Sequence, residues 1–163
     1  MAIELFRIDD RLIHGQVVVG WGQSMGLGFI ALVDDEVAAS EWEQELYRMG
    51  VPPEMDVYFK TVEDAAVALD DWFADERPGI LLTGDIDTML RLIELAPAVR
   101  SVNLGGIHYR AGRDLRLRYV YLTTDEEAAL RLMQQRGVQV TAQDVPSARP
   151  VSLDDLLATE TAK

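Results

Sequence analysis

Apolar and polar positions along this chain follow one recurring order. A short continuous apolar run comes first, then a longer stretch in which apolar residues return at helical spacing. The first run lies in residues 2–8, around Ile3-Glu4-Leu5-Phe6-Arg7-Ile8, and predicts a strand. Residues 15–25 carry a weaker helical pattern, with Gly26 as its stop. Gly28-Phe29-Ile30-Ala31-Leu32-Val33 is apolar throughout, as expected of a strand buried on both faces of a parallel sheet. Asp34-Asp35-Glu36 then open a helix predicted to reach about Met49, where Gly50 and Pro52-Pro53 end it. A strand is expected over 55–59, and Thr61 with Asp64 predicts the start of a helix to about Phe73. Residues 79–83 predict a strand, 86–95 a helix, and 100–104 a fifth strand ending at Gly105-Gly106.

The rhythm breaks over residues 107–122. Ala111-Gly112 marks a turn there, between short segments rich in Arg, Tyr, Leu and Val, so an extended excursion or small hairpin is expected. Thr124 with Glu127 predicts the cap of a helix reaching Arg136, and Gly137 stops it. The last strand is expected over 138–141. Ser152 with Asp155 opens a short C-terminal helix, and residues 158–163 are expected to form a frayed tail. No repeat or linker divides the sequence, so one domain over 1–163 is expected. Strands alternating with helices through short links predict an α/β fold, an open, mostly parallel sheet with helices on both faces. Such sheets bind ligands at the carboxyl ends of their strands, near a switch in strand order.

Composition narrows the function. A chain of 163 residues is long enough to bury roughly two-thirds of its unfolded surface. The formal charge of −13 counts against nucleic-acid binding and against docking on an anionic membrane. No apolar run approaches the ~20 residues needed to cross a bilayer, and the start lacks the features of a signal peptide, so a cytoplasmic protein without membrane insertion is expected. The absence of cysteine removes disulfides, thiolate zinc sites and thiol catalysis.

Four loops fall at predicted strand ends: Asp9-Asp10-Arg11 with His14, Asp34-Asp35-Glu36, Thr83-Gly84-Asp85-Ile86-Asp87, and Gly105-Gly106-Ile107-His108. His14 is the most informative residue in them. The chain has two histidines and no cysteine, so an imidazole is its only strong neutral-pH nucleophile. His14 would sit at a helix entry, where free backbone N–H groups and the helix dipole favour an anion. Gly15 leaves room for close backbone approach, Arg11 can bind phosphate oxygens, and Asp9 or Asp10 can hold one imidazole N–H. The plain alternative is a partly buried histidine without chemistry. Asp34, Asp35 and Glu36, with Asp85 and Asp87, are expected to be helix caps and first-turn acids; a metal-dependent enzyme built on Asp34, Asp35 and Asp85 is the weakest reading. A surface or supporting role is expected for His108, and core or half-buried packing for Trp21, Trp42 and Trp72.

The stretch from Arg7 to Val17, Arg-Ile-Asp-Asp-Arg-Leu-Ile-His-Gly-Gln-Val, resembles the signature of the IIB components of the mannose/fructose/sorbose class of the bacterial phosphoenolpyruvate-dependent sugar phosphotransferase system. Collinear resemblances continue at Val33-Asp34-Asp35-Glu36-Val37-Ala38, at Val51-Pro52-Pro53 and at Ser101-Val102-Asn103-Leu104-Gly105-Gly106. The resemblance implies a phosphocarrier. It would accept a phosphoryl group on His14, at Nδ1, from a phosphohistidine of a IIA partner. It would then pass the group to a sugar held by a membrane IIC/IID permease, with no cofactor and no metal. Arg11, Gly15 and Gln16 would bind the phosphoryl group, with Asp9 and Asp10 in support. A regulatory phosphoprotein of the same fold, whose His14 state is read by a signalling partner, is the alternative. Two departures lie near the site: Val18-Val19-Gly20-Trp21-Gly22-Gln23 gives the first helix an altered face, and Thr83 to Asp87 is more acidic than expected.

Overall fold

The computed structural model describes residues 3–158. Seven strands form one sheet in the order β3-β2-β4-β1-β5-β8-β9. They are β1 (Ile3–Ile8), β2 (Phe29–Val33), β3 (Asp56–Lys60), β4 (Gly79–Thr83), β5 (Ser101–Leu104), β8 (Gln139–Ala142) and β9 (Val151–Ser152). All pairings are parallel except β8 with β9. β6 (Asp114–Leu117) and β7 (Val120–Leu122) form a separate antiparallel hairpin.

The continuous apolar runs are the central strands because a parallel sheet with helices on both sides buries both strand faces. In β2, Phe29, Ala31 and Val33 join one core, while Ile30 and Leu32 join the other. The larger core packs α4 (Val62–Ala74), α5 (Ile86–Leu95), α6 (Thr124–Gln135) and α7 (Leu153–Ala158) onto one face. The smaller core lies under the segment that follows β1. This is the expected α/β architecture. After β1 the chain moves to β2 on one side, whereas after β5 it moves to β8 on the other. The strand order therefore switches at the β1/β5 pair, which places the candidate site there.

Several local expectations are corrected. Residues 15–25 are not one α-helix but a π-helical stretch, Gln16–Trp21, running into α1 (Gly22–Met25); Gly26, left-handed at φ 62°, stops it as expected. The helix expected over 34–49 is two, α2 (Asp35–Ala38) and α3 (Glu41–Met49). Ser40 interrupts it, because its hydroxyl accepts the Glu43 N–H and starts a new helix. The cap of α6 is Thr123 with Glu126, one residue earlier than expected. The excursion does hold a hairpin, but its own turn is at Arg118-Tyr119, and the Ala111-Gly112 turn precedes it. β8 is not the last strand: β9, two residues long, is too short to show a period. Trp21 and Trp72 are buried, whereas Trp42 on α3 is 71% exposed. Ala158 closes α7, and the rest of the expected tail lies outside the described residues.

Close packing of β2 on β4 yields a stability prediction. A Cβ at Gly79 would lie 2.2–2.4 Å from ring atoms of Phe29, whereas one at Gly15 would meet nothing within 4 Å. Gly79→Ala is expected to lose about 1–3 kcal/mol through overpacking. Gly15→Ala should leave the urea midpoint nearly unchanged, and equal midpoints for the two variants would refute this packing account.

Candidate functional site

β1 ends at Ile8 and its hydrogen bonding continues into the loop on both sides. Asp9 N–H donates to the Thr83 carbonyl at 2.9 Å, Asp10 N–H to the Gly106 carbonyl at 2.9 Å, and Gly105 N–H to the Ile8 carbonyl at 2.7 Å. Leu12 then takes a left-handed conformation, φ 59°, that non-glycine residues rarely adopt. Its side chain is buried over Gly84, where a Cβ would come within 2.9 Å of Leu12 Cδ2. The strained turn is held by this burial and by the Leu12 N–H bond to the Asp9 carbonyl, and it brings His14 back against Asp9.

Beneath the loop lies an arginine buried in the sheet. The Arg7 guanidinium donates to Asn103 Oδ1, to the carbonyls of Gln143 and Asp144 at 2.9 and 3.0 Å, and to Asp9 Oδ2 at 3.3 Å. The Trp21 ring covers it, 4.8 Å from centroid to Arg7 Cζ. A Cβ at residue 105 would fall 2.4 Å from Arg7 Nη2, so only glycine fits there. Burial pushes the Arg7 pKa down and Asp9 pulls it back, leaving the group charged. For Asp9, burial alone raises the pKa. Contact with His14, the charge of Arg7 and the Arg11 N–H at 3.2 Å outweigh it and hold the carboxyl below its ordinary value.

The ionised Asp9 meets His14. Asp9 Oδ2 lies 3.3 Å from His14 Nε2, an ion-pair distance. The approach falls short of full hydrogen-bond geometry. On the other side of the ring, Gln16 N–H donates to His14 Nδ1 at 3.3 Å. An N–H donor at Nδ1 and a carboxylate at Nε2 fit one neutral tautomer, with the proton on Nε2 and a lone pair on Nδ1. The His14 carbonyl accepts the N–H groups of Val17 and Val18 as the π-helical stretch begins. The His14 side chain is 15% exposed, and Arg11, exposed, reaches Gln16 Oε1 at 2.8 Å. Gly15 stands beside them with open space where a side chain would begin.

The two adjacent aspartates divide their roles. Asp9 faces His14, whereas Asp10 accepts the backbone N–H of His108 at 2.7 Å and contacts His108 Nδ1 at 2.7 Å. Loops after β1 and β5 are thus joined directly, and the loop after β4 supports them through Thr83 and Gly84. Three acidic residues elsewhere on the rim have structural partners. Asp34 and Asp85 cap α2 and α5, and Asp35 accepts the Val62 N–H and pairs with Arg91. Sequence reasoning missed Arg7, Asn103 and Gln143. An arginine inside an otherwise apolar run was the signal for the first.

Residues 3–163 of the sequence match the family described as "PTS system sorbose subfamily IIB component". The N-acetylgalactosamine-specific phosphotransferase enzyme IIB component 1 of Escherichia coli K12 is 33% identical over 156 residues, covering 94% of this chain and 97% of that protein. The mannose-specific EIIAB component of the same strain is 31% identical over 159 residues, 97% of this chain but 49% of that longer protein. Among solved structures, the IIBSor domain of the sorbose permease from Klebsiella pneumoniae superposes with a TM-score of 0.87 at 28% identity, covering 98% of this chain and 99% of that one.

The depressed Asp9 pKa predicts how stability depends on pH. Its contribution is fully present above the unfolded value, about 3.9, and is lost as pH falls through the lower folded value. At neutral pH, Asp9→Asn should cost about 3–5 kcal/mol, because it leaves Arg7 buried without its carboxylate. Chemical denaturation between pH 6 and 2 should show the gap between parent and variant closing as the pH drops. A gap that stays constant would contradict the assignment.

Proposed function

The chain belongs to the sorbose subfamily of phosphotransferase-system IIB components, and on that premise we propose that His14 carries the phosphoryl group and that Nδ1 is the atom that bears it. IIB components are the sugar phosphotransferases of this system, and the proposal assigns that transferase role to particular atoms. The observation that carries it is the asymmetry of the His14 ring. Nε2 faces the ionised Asp9, and Nδ1 presents its lone pair at a helix entry.

In the first step, the Nδ1 lone pair attacks the phosphorus of a phosphohistidine on the IIA partner. The new N–P bond forms as the old one breaks, and the electron pair returns to the donor imidazole. Positive charge gained by the His14 ring is stabilised by Asp9 beside Nε2. Gln16 N–H, released from Nδ1, turns to a phosphoryl oxygen, and Arg11 and Gly15 line the approach. In the second step, a hydroxyl of the sugar on the IIC/IID permease attacks, loses its proton to solvent, and the His14 N–P bond breaks. Such transfer needs alignment and charge stabilisation more than covalent help. Asp10 supports the loop from the side.

A IIA donor is supported by the mannose-specific EIIAB relative, whose name joins an A to the B component. Among the described residues no helix is long and apolar enough to cross a membrane, which supports a cytoplasmic carrier meeting its permease at the membrane surface.

The test is transfer from phosphoenolpyruvate through enzyme I, the phosphocarrier protein and a IIA partner, with mass mapping of the product. Acid-labile label should map to His14 and vanish in His14→Ala; label that survives this substitution sinks the proposal. Arg11→Ala should slow transfer by about 10- to 100-fold. Because Arg11 is exposed, the same variant should keep the parent's thermal midpoint, and a large drop would make Arg11 structural instead.

A further inference from the structure

The adjacent aspartates each hold one of the chain's two histidines, but by opposite ring atoms. Asp9 meets His14 at Nε2, and Asp10 meets His108 at Nδ1. The His108 ring is 57% exposed, yet its main chain is tied at both ends. Its N–H donates to Asp10 Oδ2 at 2.7 Å, and its carbonyl accepts Arg113 Nη1 at 2.7 Å. Arg113 is buried and makes paired bonds to Glu126 at 3.0 and 2.7 Å. Glu126 also accepts the Thr123 N–H and forms the capping box of α6. Burial would raise the Glu126 carboxyl, but Arg113 and the Thr123 N–H hold it below its ordinary value, so this anchor stays ionised at neutral pH. Just before His108, Ile107 exchanges backbone bonds with Tyr119 and Tyr121 of the hairpin, both at 2.9 Å.

A continuous chain of hydrogen bonds therefore runs from the start of α6 through Arg113 and His108 to Asp10. Asp10 is gripped twice, by its side chain at His108 and by its N–H at the Gly106 carbonyl. The next residue is Arg11, whose own N–H is fixed by Asp9 Oδ1 and which is followed by the strained Leu12. Fixing Asp10 fixes the point from which the Arg11 side chain departs.

We propose that the Asp10–His108 pair is a clasp that positions Arg11 against the phosphoryl group on His14. His108 is then a positioning residue acting through Nδ1, and its Nε2 takes no part. The inference rests on the reading of His14 as the phosphoryl carrier. It adds a residue from the loop after β5 to a site otherwise drawn from the loop after β1.

The test uses the full chain with phosphoramidate as donor, so that no partner protein is needed. The P–N bond of phosphoramidate breaks, ammonia leaves with the electron pair, and an N–P bond forms at His14. His108→Asn keeps a side-chain N–H near the place of Nδ1, whereas His108→Gln places its amide nearer Nε2. The Asn variant should react within about threefold of the parent, while the Gln and Ala variants should fall by about tenfold or more. In an Arg11→Ala background, His108→Ala should slow the reaction no further, because the clasp acts through Arg11. A purely structural role predicts the same additional loss in both backgrounds, and that result overturns the proposal. Equal rates across the His108 variants overturn it too, as does rescue by Gln but not by Asn, which would make His108 a direct ligand through Nε2. Mapping the label separates the two levels. Label away from His14 in the parent removes the carrier reading and the clasp with it, whereas label on His14 with flat rates removes the clasp alone.

Discussion

A guanidinium buried in the middle of a parallel sheet is the constraint on which the rest of this structure depends. Taking such a charge out of water costs several kcal/mol unless it is paired and its donors are used. Arg7 meets most of that cost with ligands from four places, although its Nε finds no partner: the Asp9 carboxylate on its own strand exit, Asn103 on β5, the Gln143 and Asp144 carbonyls beyond β8, and the face of Trp21. Each ligand fixes something else. Residue 105 must be glycine, the exits of β1, β5 and β8 are drawn together, and the π-helical stretch is held over the sheet by its last residue. The segment after β1 can therefore leave ideal helical geometry without losing its place.

The same charge prepares the chemistry. Asp9 stays ionised because Arg7 lies behind it and His14 in front, and an ionised Asp9 selects which His14 nitrogen keeps the proton. The geometry of the proposed carrier is thus set before any partner arrives. Strain at Leu12 belongs to the same design. An unfavourable backbone angle, locked by burial over Gly84, turns the chain back so that His14 stands over Asp9 at the strand-order switch. Arg11 remains on the outside of this locked loop, exposed to whatever brings or removes an anion. A preformed loop suits the proposed carrier, since little more than the Gln16 N–H contact has to change when the group arrives.

Much of the fold was legible because its signals are local. Continuous apolar runs gave the buried strands, and Thr61 and Asp85 marked helix starts through side chains that cap their own next turn. His14 stood out as one of two imidazoles in a chain without cysteine, and the strand-end rule put it on a loop after β1, where the structure has it. What was hidden depends on distance along the chain. Arg7 finds Asn103 and Gln143 across 96 and 136 residues, and the apolar run around an arginine hints at its burial without naming its partners. Whether Asp9 or Asp10 would hold His14 depended on a turn at Leu12 that no leucine advertises. Ser40 was overlooked because α2, four residues long, is too short to show a period of its own before the break. Trp42 was expected in the core or half-buried because it falls within a helix, yet α3 buries none of its residues fully.

The central claim is that Arg7 and Asp9 together fix the His14 ring with its proton on Nε2 and a lone pair on Nδ1. Long-range 1H–15N correlation spectra of the unphosphorylated protein, recorded at a pH where His14 is neutral, test it most directly. The account predicts an Nε2–H tautomer at His14 and loss of that preference in Asp9→Asn. A proton on Nδ1 in the parent protein, or a tautomer indifferent to Asp9, would contradict it.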